Sequence, residues 1–558
     1  MRLCLLISLT LGPLAALAST WYASPDPLPD AQRVYGGDYC RSRMAAGTLA
    51  DAVGLANLDG GPGEVVLLDG TYRADWASEG LRVEVARLTV RSESGDAARC
   101  ILDGGGLLGD RRAFNFAVAA QGASRHVVSN ITFRSFHLSH SGGSAVPRKG
   151  GALRFAPGAA AEIVGCTFLA CGVGTPGDSS CPNAALDYND SADNSSGGAV
   201  YAWTAPLTVR GCRFDGCFAA GTGAAVCLRG PGSEFADCVF EDNVSSNTVG
   251  DVAYYSGILS NFNSSDPCVA SNCVFRGNRC CSGRETRGGA ALNVRTRGCR
   301  FEDNVCLGGC PSRPIGGQGA SVYCSATDAA ARRLFDHIGD VYSNSCRTGA
   351  DAVVKSELSG GTFVRCRVLD TAADGAMAAS AVFYNCLIQG CAYSGYQGDG
   401  YWCCTFADCR NLRAWNASWF GECALVNCAM LECTCGSGYL IGWNNGPYGY
   451  AAGSLAMTNT VYAGAAYSDW AEASLGNIRY DALAASSFSC YDPASTTDPW
   501  MPDRHSPLFD GGILLEGMDD PESPLSLDLL GHPRVAFGAP DIGCYEYSVR
   551  DGIVFRIR

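Results

Sequence analysis

Cys238-Val-Phe240-Glu-Asp-Asn243, Cys273-Val-Phe275-Arg-Gly-Asn278 and Cys299-Arg-Phe301-Glu-Asp-Asn304 are one phrase written three times. It closes on cysteine in Cys166-Thr-Phe168 with Cys171, Cys212-Arg-Phe214 with Cys217, and Cys404-Thr-Phe406 with Cys409. Looser copies start at Cys366, Cys386 and Cys428. A phrase that returns at short intervals marks stacked copies of one small unit. In Cys-x-Phe the period of two puts both side chains on one face of a strand. A second phrase precedes the first: Gly150-Gly-Ala-Leu153, Gly197-Gly-Ala-Val200, Gly288-Gly-Ala-Ala291 and the variant Gly223-Ala-Ala-Val226. Each unit therefore reads as a glycine-started strand, a turn, and a Cys-x-Phe strand, with 26 residues from Cys212 to Cys238 and again from Cys273 to Cys299.

Units of this size predict an all-β chain wound as a right-handed parallel β-helix, the hand that parallel crossovers favour. Such a solenoid escapes the size limit of a compact core, because each turn packs only on its neighbours. The columns Cys166, Phe168, Cys212, Phe214, Cys238, Phe240, Cys273, Phe275, Cys299 and Phe301 are expected to line its interior, with Asn243, Asn278 and Asn304 at tight bends. There an Asn tolerates a left-handed backbone and bonds the chain above and below. Cysteine in the same slot is either an apolar filler or half of a bridge.

Working outward, residues 1–18 read as a signal peptide: Arg2, an apolar run from Leu3 to Leu17, and the small-x-small site Ala16-Leu17-Ala18. The segment 19–63 reads as an N-terminal cap, in which Thr48 caps a short helix through Leu58 before Gly60, Gly61, Pro62 and Gly63 break it. The coil is expected over 64–489, a distinct module over 490–547 and a tail over 548–558. A secreted or cell-surface chain of bacterial-envelope type is implied, and no run is long enough for a transmembrane helix. Net charge of −14 argues against nucleic acid, which wants a basic stripe. The lysines are Lys149 and Lys355; arginine carries the other positive charge.

The paired Gly-Gly-Ala-(Leu/Val) and Phe-x-x-Asn phrases resemble those of polymorphic outer-membrane protein repeats, and more broadly those of right-handed β-helix surface proteins. The C-terminal membrane barrel of that family has no counterpart in the closing Phe555-Arg-Ile-Arg558. The phrases Ser506-Pro-Leu-Phe-Asp510-Gly-Gly, Asp528-Leu-Leu-Gly531-His-Pro-Arg534 and Asp541-Ile-Gly543-Cys-Tyr-Glu546 resemble the type Q choice-of-anchor module of secreted bacterial β-helix proteins. That resemblance implies export and surface sorting. A plain cap on the last turn of the coil is the alternative.

Chemistry is sparse. No acidic pair with a Gly-His-Gly partner phrase is present, and Asp519-Asp520 falls in a Pro-rich loop. Val353-Val-Lys355-Ser-Glu357, with Arg365 and Arg367, resembles the lysine strand of alginate and chondroitin lyase β-helices, but Ala376 to Phe383 offers no arginine to complete it. Lys355, Arg365 and Arg367 are thus the catalytic candidates, against a surface lysine at a strand edge. Asp187, Asn189, Asp190 and Asp193 supply hard oxygens that suit calcium without EF-hand spacing, which is the one cofactor candidate. His137 and His140 lack an acidic partner for a metal. Tyr401, Trp402, Trp415, Trp419, Tyr439, Trp443, Tyr448 and Tyr450 offer either interior ladders or a platform for sugars, and the interior is expected for most of them. The reading that results is a non-enzymatic, adhesin-like binder of glycan or protein. The alternatives are a polysaccharide lyase or glycoside hydrolase of the pectate-lyase-like superfamily, and a passive envelope scaffold.

Overall fold

The computed structural model describes most of residues 18–308, the strand segments and adjoining turns between 322 and 479, and most of 500–547. The proposed signal peptide and the tail lie outside the described residues, apart from Ala18. The chain is a right-handed parallel β-helix. One turn runs Leu153–Phe155, Ala159–Val164, Thr167–Leu169, Gly172–Val173, and the next runs Val200–Ala202, Leu207–Arg210, Arg213–Asp215, Phe218–Ala219. These four strands define four columns. The first three join into one sheet of 36 strands, and the fourth forms a separate sheet of 8. Sequence reading found the first and third columns. The second and fourth carry no fixed phrase, only alternation.

Register explains the interior. Phe133, Phe168, Phe214, Phe240, Phe275 and Phe301 pair directly from turn to turn in the third column. Parallel strands repeat every ~4.8 Å, so identical inward residues stack: Phe240 and Phe275 lie 4.6 Å apart at 3°, Phe275 and Phe301 4.8 Å apart at 5°. A second ladder of Phe363, Phe383 and Tyr401 runs through later turns. The corner before each Cys-x-Phe strand uses a left-handed residue, with Gly165, Gly211, Asp237, Asn272 and Gly298 all at φ between 52° and 61°. The next corner follows the same rule at Asp242, Gly277 and Asp303. The left-handed position thus falls one residue before the Asn, not on it.

The N-terminal end of the coil is covered. Ser19–Ala23 (β1) pairs in register with Gly63–Leu67 (β2), so the lead-in segment contributes a strand of its own. Leu49–Asp59 (α1) begins where Thr48 Oγ1 accepts from Asp51 N at 3.1 Å, and ends at the left-handed Gly60. Its buried face of Leu49, Ala52, Val53 and Ala56 closes the first turn of the coil. Among the described residues the C-terminal module packs against the flank of the coil. Trp500, Met501, Leu508, Ile542, Cys544 and Tyr545 pack sideways on Leu387, Ala407, Ala429, Leu431 and Val461, the outward positions of the third column.

Candidate functional site

The interior is structural chemistry. Asn243 Nδ2 donates to Phe214 O at 3.0 Å and to Asn278 Oδ1 at 2.9 Å, and Asn278 repeats the bonds to Phe240 O and Asn304 Oδ1. Where cysteine takes that slot its thiol makes the equivalent contact: Cys217 Sγ reaches Phe168 O at 3.5 Å and Cys171 Sγ reaches Phe133 O at 3.3 Å. A thiol is the poorer donor, so the slot accepts either residue at different strength. Cysteine here is a donor as well as a filler. Among the described residues Cys171 and Cys217 in that slot, like Cys166, Cys212, Cys238, Cys273 and Cys299 before the rings, stand as thiols, not as bridges, against the disulfide half of the sequence-based alternative. Burial pushes the Cys100 thiol up to about 12, which leaves it protonated and unreactive.

Of the catalytic candidates, Lys355 lies outside the described residues, as do the calcium candidates Asp187, Asn189, Asp190 and Asp193. Arg367 points outward in the third column, in register between Asp340 and Leu387. Arg365 occupies a corner, at φ 52°, where other turns place Gly, Asn or Asp and one places Cys403. An arginine held in the left-handed region is strained, and such strain persists where the surroundings demand it.

What surrounds Arg365 is a cleft of about 600 Å³ between the second column and the returning C-terminal module. Val364, Tyr384 and Trp402 succeed one another in register along its floor. The Tyr384 and Trp402 rings stack 5.1 Å apart at 24°. Gly400 makes this possible, since a Cβ there would lie 2.1 Å from the indole. Their other contacts include Cys403, Met518 and Leu525. The far wall is Pro521 to Pro524, Ser526 and Leu527, pinned by Asn385 Nδ2 donating to Pro524 O at 2.8 Å. Among the described residues Glu522 is the one carboxylate lining the cleft, and it is exposed. An aromatic platform flanked by a guanidinium and a carboxylate suits a sugar ring, whose faces are apolar and whose rim is hydroxyl. Sequence reading named Trp402 and Arg365 for separate reasons but missed Tyr384 and Glu522. Tyr401 does lie inside, beside outward Trp402; Trp415, Trp419, Tyr439, Trp443, Tyr448 and Tyr450 lie outside the described residues.

The three tail phrases meet in one buried knot. Arg534, fully buried, donates to Tyr545 O, Asp541 O and Gly543 O at 3.1, 2.5 and 2.9 Å. Asp528 accepts from His532 N and Glu546 N, Asp541 from Asp510 N and Tyr547 N, and Glu546 from Asp541 N and Ala536 N. Burial raises Asp541 to about 6 and Glu546 to about 8. Main-chain donors occupy these carboxylates, and Arg534 ties the carbonyls between them with its Nε 3.9 Å from Glu546 Oε2, so the knot holds the module together. His137 is likewise interior, its ring bonded to Gly174 O, while His140 lies outside the described residues.

Residues 117–306 match the family model described as the right-handed beta helix region. No curated protein matches the sequence. Among solved structures, tailspike protein 3 of bacteriophage CBA120 is similar at 11% identity and a TM-score of 0.26, over 86% of this chain and 60% of the tailspike. An alginate lyase of family PL6, solved with a trisaccharide, is similar at 11% identity and a TM-score of 0.28, over 84% of this chain and 85% of the lyase. The A-module of a mannuronan C-5 epimerase from Azotobacter vinelandii is similar at 13% identity and a TM-score of 0.27, over 82% of this chain and 99% of the module.

Proposed function

We propose that this chain is an exported β-helix protein that binds glycan, without turning it over, in the cleft between its second strand column and its C-terminal module. The observation that carries the reading is the stacked Tyr384–Trp402 platform beside Arg365. A glycosidase needs two carboxylates about 5–9.5 Å apart across the scissile bond; Glu522 alone lines this cleft among the described residues. The signal-like residues 1–18 support export to the cell surface or medium, and the resemblance to polymorphic outer-membrane and choice-of-anchor proteins supports attachment to a bacterial envelope. Calcium at Asp187, Asn189, Asp190 and Asp193 belongs to this proposal as a stabilising ion, not as a catalyst. A lyase is the second reading, favoured by the strained Arg365 in the cleft.

A polysaccharide array read for retention and for the ultraviolet absorbance of unsaturated products separates these readings. Retention that Trp402→Ala removes, with no absorbance change, is the expected result. Absorbance growing with time would establish the lyase, and no retention on any glycan would leave a passive scaffold.

A further inference from the structure

Two ladders of rings cross the same turns of the coil, one inside and one outside, and they differ by one rung. Inward, Phe363, Phe383 and Tyr401 stack at 4.8 and 4.9 Å. Outward, one residue further along each strand, stand Val364, Tyr384 and Trp402, so the Tyr384–Trp402 stack stops at a valine. Rings that stack along the coil axis turn their faces to the turns before and after. Trp402 covers one face of Tyr384, and Val364 lies in register beside the other. The cleft of about 600 Å³ reaches Thr362, Val364 and Arg365 on that side, whereas Val426, next in register beyond Trp402, does not line it.

Two charges of opposite sign line the same cleft. Arg365 follows Val364 and is half-buried; its Nη1 lies 3.9 Å from where a Cβ on Gly531 would stand, so the guanidinium spans from coil to module. Glu522 stands exposed on the module wall. Among the described residues neither side chain makes a hydrogen bond or an ion pair. A guanidinium only donates and a carboxylate only accepts, while a sugar hydroxyl does both. A neutral pyranose therefore answers each of them. A uronate is drawn to Arg365 and repelled by Glu522, an amino sugar the reverse, and either loses hydration on entry.

We propose, resting on the reading that this cleft binds glycan, that a neutral hexopyranose takes the place of the third outward ring. Its apolar face lies on Tyr384 above Val364, and its hydroxyl rim meets Arg365 and Glu522. Val364 is then the residue that sets specificity, because its small side chain leaves the height of one rung, ~4.8 Å, for a ring that the protein does not itself supply. Trp402 acts from behind, holding Tyr384 flat. A lyase needs a uronate, so a preference for uncharged sugar also parts the two readings of the cleft.

Calorimetric titration of the full chain with hexamers of galactose, glucose and mannose, each beside its uronate, and with hexameric glucosamine, tests it. At least one neutral hexamer should bind, more tightly than its own uronate and than the amine. Val364→Phe supplies the third ring and should abolish that binding with an equal or higher melting temperature. Tyr384→Leu keeps bulk, removes the flat face and should weaken binding about fivefold or more. The exposed Glu522→Gln should shift preference towards the uronate by about two- to fivefold. If Val364→Phe lowers the melting temperature, the other two variants decide. Tighter binding of a uronate or of the amine, full binding by a folded Val364→Phe or by Tyr384→Leu, or an unmoved preference in Glu522→Gln would each overturn the assignment and leave glycan binding standing. No binding of any hexamer would overturn both.

Discussion

The outward side of the third strand column is two different surfaces on one ladder. In the N-terminal half it carries partly exposed ion pairs, within a strand for Arg213 with Asp215 and Arg300 with Glu302, and between successive turns for Arg213 and Arg276 with Glu241. In the C-terminal half the same positions hold Leu387, Ala407, Ala429 and Leu431, buried under the C-terminal module. Inward, the two halves follow one rule of stacked rings and paired amides or thiols. The coil is therefore set by its inward residues, while outward residues decide where it stays bare and where something docks. Surface ion pairs add little to stability and keep a long sheet face in water, whereas the apolar half is stable only when covered.

A charge placed on each half gives the largest contrast. Ala429→Glu buries an unpaired carboxylate under the module and should cost about 3–5 kcal/mol, seen as a lower thermal midpoint and early proteolysis near residue 500. Val274→Glu, on the bare half, should change stability by less than about 0.5 kcal/mol. If the two variants behave alike, the halves are not distinct.

Proton linkage sharpens the same comparison. Burial raises Glu546 and Asp541 to about 8 and about 6 from their ordinary values of 4.5 and 3.8. Their protonated forms suit the folded knot, so their contribution is full below the unfolded values and fades as pH climbs through the folded ones. Module stability should decline from about pH 4 to pH 8 in a thermal-unfolding series, and Glu546→Gln should flatten the decline above pH 6. A module that tightens with rising pH over this window would contradict the burial of these acids.

Within the coil the amide and thiol turns should differ next. Asn278→Ala leaves a buried amide ladder broken and should cost about 1–3 kcal/mol. Cys217→Ala removes only a thiol donor and should cost about 1 kcal/mol. Denaturant midpoints check the order, which a bridged Cys217 would reverse. A gain in place of a loss is expected at Arg365→Gly, which relieves a left-handed arginine and should raise stability by up to about 1 kcal/mol while glycan retention drops.

The inward half of this design was legible in sequence because Cys-x-Phe repeats with a strand's period. The outward half was legible too, had the copies been aligned on their cysteine. Two residues before it stand Val164, Arg210, Ala236, Ser271 and Arg297, then Val364, Tyr384 and Trp402. That change from polar to aromatic marks the floor of the cleft. The sequence reading puts Tyr401 and Trp402 in one group of rings, most of them expected inside, though adjacent residues on a strand face opposite ways. Glu522 left no signal, because it reaches the cleft only when the module folds back across more than a hundred residues. Nor did sequence show the lateral docking, since apolar residues at Leu387 and Leu431 read equally well as core.

Carbene footprinting of the intact chain, read residue by residue, tests most directly whether one ladder presents two surfaces. Leu387 and Leu431 should escape labelling while Val239 and Val274 are modified, and removal of residues 500–547 should expose the first pair without changing the second. Labelling of Leu387 and Leu431 in the intact chain, at the level of Val239 and Val274, would contradict it.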